Sequence, residues 1–192
     1  MYEVTFAAAE DVPAMLEIYR PYADGTTVSF EWGAPSLEAF SARIEKIMSE
    51  YPVLACKKEG VVCGYAYASA AFERKSYAWS VDLSIYVAQR CCGQGMGREL
   101  ERTISHLLKA LGYRKLYALV TQENSASIAF HESVGFHRVA FFPQQGYKMG
   151  RWLGVFWLEK ELCGEECALR FPKKTGELSK EELTSLLEEA RK

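Results

Sequence analysis

Residues 79–100 read WSVDLSIYVAQRCCGQGMGREL. The first half alternates, with Val81, Leu83, Ile85 and Val87 on one face, which is the signature of a strand. From Gly97 to Leu111 the apolar period lengthens to that of a helix, carrying Leu100, Ile104, Leu107, Leu108 and Leu111 on one side, and Gly112 supplies the stop. Between the two lies Arg90-Cys91-Cys92-Gly93-Gln94-Gly95-Met96-Gly97-Arg98. A strand that empties through glycines straight into a helix lets backbone come close to an anion and points unpaired N–H groups at it. Two phosphate loops are excluded by spacing. The P-loop's Gly-Lys-Ser/Thr ending is missing, and the dinucleotide fingerprint requires G-x-G-x-x-G near the start of a parallel βαβ unit, whereas this G-x-G-x-G follows a hairpin in mid-chain.

Outward from this stretch the elements alternate in type. Val4–Phe6 reads as a short strand, and AEDVPAMLEIYRPY as a helix with Val12, Leu16, Tyr19 and Met15, Ile18, Tyr22 at helical spacing and Pro13 in its first turn. Ser36 caps a second helix bearing Phe40, Ile44, Ile47 and Met48, ended by Pro52. Val53–Lys57 and Val61–Ala70 form an antiparallel hairpin around Glu59-Gly60. On the far side, Lys115–Val120 is a buried strand, Asn124 and Ser125 open a helix stopped at Gly135, and Phe136–Phe142 and Trp152–Leu162 are the last strands. The order specifies an α+β chain on a mixed, mainly antiparallel sheet. After Cys163 the composition turns charged. Leu178, Ser179, Glu182 and Leu183 give a capping box and staple, so residues 163–192 read as a linker and docking helix appended to a domain of residues 1–162.

The 192 residues are 49% apolar and 25% charged, enough for one sizeable core. A net charge of −2 from scattered residues, with no basic tract, argues against nucleic acid and for small-molecule partners. Glu3, Glu10 and Asp11 near the start rule against a signal peptide, and no run of about eighteen apolar residues exists to span a membrane. A cytoplasmic protein is expected, with its six cysteines as free thiols. Cys163-x3-Cys167 and Cys56-x6-Cys63 are not zinc spacings and no histidine pair stands at ligand distance, so no metal is expected. Cys91 and Cys92, at a helix start, have the placement of oxidisable thiols.

The glycine loop resembles the signature Gln/Arg-x-x-Gly-x-Gly/Ala of the GNAT superfamily of acetyl-CoA-dependent N-acetyltransferases. Further stretches extend the resemblance over residues 2–162: SIYV at 84–87, ENSASIAFHESVGF at 123–136, GYKMGRW at 146–152 and TTVSFEWGAPS at 26–36. Together they are similar to the branch of phosphinothricin and methionine-sulfone N-acetyltransferases. The resemblance implies a GNAT-like fold in which two central parallel strands, Asp82–Val87 and Lys115–Val120, splay apart to admit acetyl-CoA. It places the pyrophosphate on the loop of Cys92, Gly93, Gln94, Gly95, Met96, Gly97 and Arg98, the pantetheine against backbone at Tyr86 and Val87, and Asn124 and Ser127 beside the pantetheine arm. The signature's Gln/Arg falls on Cys92, a departure that Arg90 or Arg98 would offset.

Acetyl transfer to an amine needs a neutral nucleophile, a stabilised oxyanion and a protonated leaving thiolate. Asp82, an acid inside an apolar strand, is the base candidate; relatives carry Glu there, so the shorter Asp82 points to a water relay. The alternative to a base is a sheet residue facing solvent or pairing with a basic neighbour. The resemblance assigns the oxyanion to the Val87 amide and puts His131 where other relatives have a tyrosine acid, while a capping or packing role suits His131 as well. Arg74 suits a substrate carboxylate, and Phe30, Glu31, Tyr77 and Trp79 suit a pocket for an amino acid with a polar tail. Ala78 and Gly154 replace an arginine and an acid common in relatives. The implied activity is acetylation of the primary amine of a small amino-acid-like substrate by direct attack. Its rivals are a protein N-terminal or polyamine acetyltransferase and a non-catalytic acyl-CoA-binding module. The resemblance also implies a homodimer.

Overall fold

The protein is described by a computed structural model over residues 2–164 and 170–191. Seven strands form one sheet: β1 (Tyr2–Phe6), β2 (Val53–Lys58), β3 (Val61–Ala70), β4 (Ser80–Val87), β5 (Lys115–Thr121), β6 (His137–Lys148) and β7 (Arg151–Glu161), in the spatial order β1-β2-β3-β4-β5-β7-β6. The helices are α1 (Val12–Gly25), α2 (Leu37–Glu50), α3 (Met96–Leu111), α4 (Ser125–Ser133) and α5 (Lys180–Ala190). Every neighbouring pair of strands is antiparallel except β4 with β5. That parallel ladder has three rungs, Ser80↔Lys115, Val81↔Leu116 and Asp82↔Tyr117, and then the strands part. The splay therefore begins at Asp82.

The alternation in β4 divides its side chains between two layers. Val81 and Leu83 are buried on the side where α3 packs, with Leu100, Ile104, Leu107 and Leu108 filling the space between. Asp82, Ser84 and Tyr86 face the layer of α1 and α2, where Tyr19 meets the Tyr86 ring edge-on at 5.0 Å and stacks on Phe40 at 5.9 Å. Ser36 caps α2 through the Ala39 amide, and Asn124 caps α4 through the Ser127 amide.

The structure departs from the sequence reading at β6, which does not stop at Phe142 but continues to Lys148. Pro143 and Gly146 read as strand breakers, yet the ladder to β7 absorbs them with register shifts at Arg138/Ala140 and Phe142/Gly146. An edge strand tolerates a proline because its outer N–H has no ladder partner to lose.

The C-terminal segment docks on the domain. Leu187 and Ala190 of α5 are buried against the α3 side, and Arg191 donates to the carbonyl oxygen of Val4 and to Glu3. Upstream, the Trp79 indole donates to the Arg170 carbonyl at 2.8 Å and stacks on Phe171, whose ring also carries Lys75 at 4.8 Å. Cys56, Cys63, Cys91 and Cys92 are free thiols. Cys163, against expectation, is disulfide-bonded, and Cys167 lies outside the described residues. Among the described residues no helix is long and apolar enough to cross a membrane, and no group of His, Cys, Asp or Glu side chains could hold a metal ion.

Candidate active site

The cleft at the splay is built largely from backbone. The Ala88 amide donates to the Cys63 carbonyl at 2.8 Å, so residues 88 and 63 form a hydrogen-bonded pair and the adjacent Val87↔Gly64 pair is of the non-bonded kind. Val87 thus turns its N–H and C=O away from β3, toward the gap that β5 has vacated, and by the same alternation Ile85 does too. Tyr86 pairs with Tyr65, so by the same alternation its backbone groups turn toward β3, although the residue borders the cleft. The sequence reading named Tyr86 beside Val87; the geometry turns Ile85 outward in its stead.

Past the strand, Gly93 and Gly95 hold φ of +75° and +84°, a backbone region that side-chain-bearing residues rarely adopt. Gly95 is also the N-cap of α3 and offers no side chain to the first amides of the helix. Those unpartnered N–H groups and the positive end of a 16-residue helix make a cradle for an anion such as a pyrophosphate. Met96 is buried and anchors the turn. Gln94 folds back to the Arg90 carbonyl at 3.2 Å, and Arg98 reaches across to Ser133, with Nη2 3.0 Å from its hydroxyl. Arg98 is therefore committed to α4. Cys92 is exposed, its Sγ 3.6 Å from the Ala88 carbonyl. The residues present fit the pyrophosphate and pantetheine of an acyl-CoA through amides and an open strand edge rather than through cationic side chains.

A cavity of about 520 Å³ follows this edge, bounded by Tyr22, Ile85, Val87, Gly95, Asn124 and His131 among others. Cys92, Gly93, Met96, Gly97, Arg98 and Ser127 also border it. His131 is buried, and its Nδ1 lies 2.8 Å from the Ser127 carbonyl. That bond assigns the proton to Nδ1 in the neutral ring and leaves Nε2 as an acceptor. Burial lowers the His131 pKa, so the imidazole rests neutral at pH 7.

Asp82 stands at the last rung of the parallel ladder, opposite Ser69 on β3 and Tyr117 on β5. Its Oδ1 is buried and has no hydrogen-bond partner. Desolvation pushes its pKa up to about 7, and no basic side chain offsets the effect. A carboxyl with that value at neutral pH both takes and releases protons readily.

The residues expected around the acceptor fall into two groups. Phe30 and Glu31 lie on the loop between α1 and α2, which is held down on several sides. Ser29 Oγ lies 2.5 Å from the Tyr19 hydroxyl, Thr27 donates to Glu123, and the buried Lys148 ammonium donates to the carbonyls of Ala23 and Ser29. Phe30 packs over Gly146 so closely that a Cβ there would fall 2.4 Å from the ring. Glu31 pairs with Arg43 at 2.6 Å, while its Oε2 is buried without a partner. Arg74 and Tyr77 instead border a separate depression with Ser80, Tyr51, Phe171 and Lys174. The structure does not gather Arg74 and Glu31 around one cavity. Tyr22, Val28 and Ile85 went unnamed as site residues in the sequence; the apolar stripe on the first helix had claimed Tyr22 for the core.

A sequence profile described as "Acetyltransferase (GNAT) domain" matches residues 5–157. The chain is 31% identical over 156 residues to a phosphinothricin N-acetyltransferase of Streptomyces viridochromogenes, covering 81% of this chain and 85% of that one. It is likewise 31% identical over 160 residues to an L-methionine sulfoximine/L-methionine sulfone acetyltransferase of Salmonella typhimurium, covering 83% and 94%. Among solved structures, a GNAT superfamily phosphinothricin acetyltransferase from Sinorhizobium meliloti in complex with AcCoA superposes with a TM-score of 0.83 at 31% identity, covering 90% of this chain and 93% of that one. A parallel pair that opens at an acidic residue, an amide cradle at the strand's end and these likenesses agree, and the chain belongs to the GNAT acetyltransferase family.

Proposed function

We propose that this protein transfers the acetyl group of acetyl-CoA to the primary amine of a small amino-acid-like substrate of the phosphinothricin or methionine sulfone/sulfoximine type. The observation that carries the reading is Asp82: a half-buried carboxyl whose Oδ1 is enclosed without a hydrogen-bond partner, its pKa about 7, at the point where the parallel strands part. In this reading Asp82 draws a proton from the amine, directly or through one water, so that nitrogen attacks the thioester carbon as a neutral group. The Val87 amide, turned into the splay, donates to the oxygen that gains negative charge. As the carbon–sulfur bond breaks, the thiolate takes up a proton. His131, neutral at rest, serves here as a relay that must first collect a proton from solvent at Nε2 before passing it on.

Gly93 to Arg98 hold the pyrophosphate by their amides. Asn124, with Oδ1 bound to the Ser127 amide, has its NH₂ free for the pantetheine arm. For the acceptor, the unpartnered Oε2 of Glu31 favours an ammonium group. Release of CoA, followed with phosphinothricin, methionine sulfone, spermidine and a short peptide, tests this. Turnover confined to the first two supports the reading; turnover confined to spermidine or the peptide replaces the substrate class. Binding of acetyl-CoA without turnover of any amine turns the protein into a binding module.

We also infer a homodimer. Along the edge strand β6, its turn and the start of β7, Val139, Phe141, Phe142, Tyr147, Met149 and Trp152 are exposed, and Trp32 stands beside Tyr147, 78% exposed. Large side chains of roughly 200 Å² each, about half open, amount to several hundred Å² of apolar surface, comparable with what one partner brings to a standard interface. Light scattering should give twice the chain mass, and Phe142→Glu with Trp152→Glu should halve it.

A further inference from the structure

We propose that Tyr22 is a catalytic residue of the acetyl transfer: its hydroxyl, which donates to the Val87 carbonyl, yields that oxygen to the pantetheine and donates to the thioester oxygen alongside the Val87 amide. The inference deepens the acetyltransferase reading above and rests on it.

The argument starts from α1. Tyr19 and Tyr22 are three residues apart on one helical face, and both rings meet Tyr86, at 5.0 and 5.6 Å. Tyr19 ends on Ser29, inside the loop. Tyr22 continues past the Tyr86 ring into the cleft, where its hydroxyl donates to the Val87 oxygen at 2.6 Å. That oxygen belongs to the open edge of β4, on the same side of the strand as the Val87 N–H, because the Val87↔Gly64 pair makes no ladder bonds. A carbonyl facing an open cleft is where an incoming amide is bound. The incoming amide competes with the hydroxyl for that oxygen, and the acceptor that develops charge during transfer lies at the adjacent N–H. Cys92 Sγ lies 4.0 Å from the same oxygen.

Other side chains around the cavity are held on α4, where the Asn124 NH₂ is left for the pantetheine arm. The Ser127 hydroxyl lies against His131 Nδ1, and Asn124 Oδ1 caps the Ser127 amide. Burial, with a smaller effect from Cys92, raises the Tyr22 pKa to about 12, well above the roughly 8.5 of a thiol. Tyr22 therefore keeps its proton and acts as a hydrogen-bond donor to developing charge, leaving protonation of the thiolate to another group. This is electrostatic stabilisation of the kind whose loss costs about 10²–10³ in rate at a well-aligned site.

Tyr22→Phe removes only the oxygen. With the guard gone from the Val87 carbonyl, CoA measured by calorimetry should bind about 3- to 10-fold more tightly, the size of one modest hydrogen bond. At the same time kcat should fall about 10- to 100-fold, while the melting temperature falls by only about 2–4 °C, the cost of one hydrogen bond. A tyrosine that only packs would not split binding and turnover in opposite directions. An unchanged kcat, or CoA affinity and kcat falling together, overturns the proposal. If the wild type acetylates no amine, the acetyltransferase reading fails and takes the catalytic half with it, while the CoA affinity of Tyr22→Phe still decides whether the hydroxyl guards the carbonyl.

Discussion

The two flanks of β4 are made of different materials. On the flank proposed for the cofactor the groups on offer are backbone, from Ile85, Val87 and the glycine loop, with positive φ at Gly93 and Gly95 shaping the turn. On the acceptor flank they come from side chains: Asp82, Glu31 against Arg43, and Phe30 over Gly146. A site made of amides depends on chain geometry and tolerates changes of side chain, which is how Cys92 stands where the family signature has Gln or Arg. A site made of side chains depends on each one. The difference between the flanks can be broken in a graded way.

The largest effect is expected from Asp82→Ala, which should lower kcat by about 10²–10⁴ while leaving acetyl-CoA affinity within about 2-fold, measured by stopped-assay rates and calorimetry. In the wild type kcat/KM should rise with pH and level off above about 7, where Asp82 is ionised; an unchanged pH profile in Asp82→Asn would remove Asp82 as the base. The same variant should change stability with a definite sign. The folded chain prefers Asp82 neutral, so the wild type loses stability as pH climbs from about 4 to about 7, and Asp82→Asn does not. Urea unfolding should find the two alike at pH 3 and the variant more stable at pH 8, by at most about 4 kcal/mol.

On the backbone flank, Gly95→Ala should weaken acetyl-CoA binding about 10-fold or more without a matching loss of kcat at saturation. An alanine at φ +84° costs about 1–2 kcal/mol, and its Cβ would sit 3.2 Å from the Tyr2 hydroxyl. The smallest effect belongs to Cys92→Arg, which adds an exposed charge beside an existing cradle. Affinity should improve by about 2- to 10-fold at low salt and lose that gain as ionic strength rises. A loss of binding much larger than this would mean that the Cys92 thiol itself is needed.

Much of the cofactor flank is legible in the sequence because its determinants are local. The alternation of Val81, Leu83, Ile85 and Val87, the change of period at Gly97 and the glycines between them specify strand, turn and helix without any distant contact. Asp82 stands out for a similar reason, as a charge inside an apolar strand. What the sequence could not give depends on register or on long-range packing. Which of Ile85, Tyr86 and Val87 open into the splay is settled by the pairing of residue 63 with residue 88. Arg74 lies in a separate depression because the C-terminal segment holds the β3–β4 connection through Trp79, Lys75 and Phe171. The extension of β6 past Pro143 needs β7 beside it, and Tyr22 looks like core until its hydroxyl is seen at Val87.

The bond from Arg191 to the Val4 carbonyl reaches beyond the site. A sheet has two outer strands, and each is a template on which another chain can add. Here the last turn of the C-terminal helix occupies an acceptor on β1, at one outer strand, while β6, at the other, keeps its long apolar border. A molecule that offers both borders can stack without end, whereas one that offers a single border can satisfy itself only by meeting its own copy face to face. Under the homodimer proposed above, the appended helix covers part of one border, and the open border is where the second copy would add.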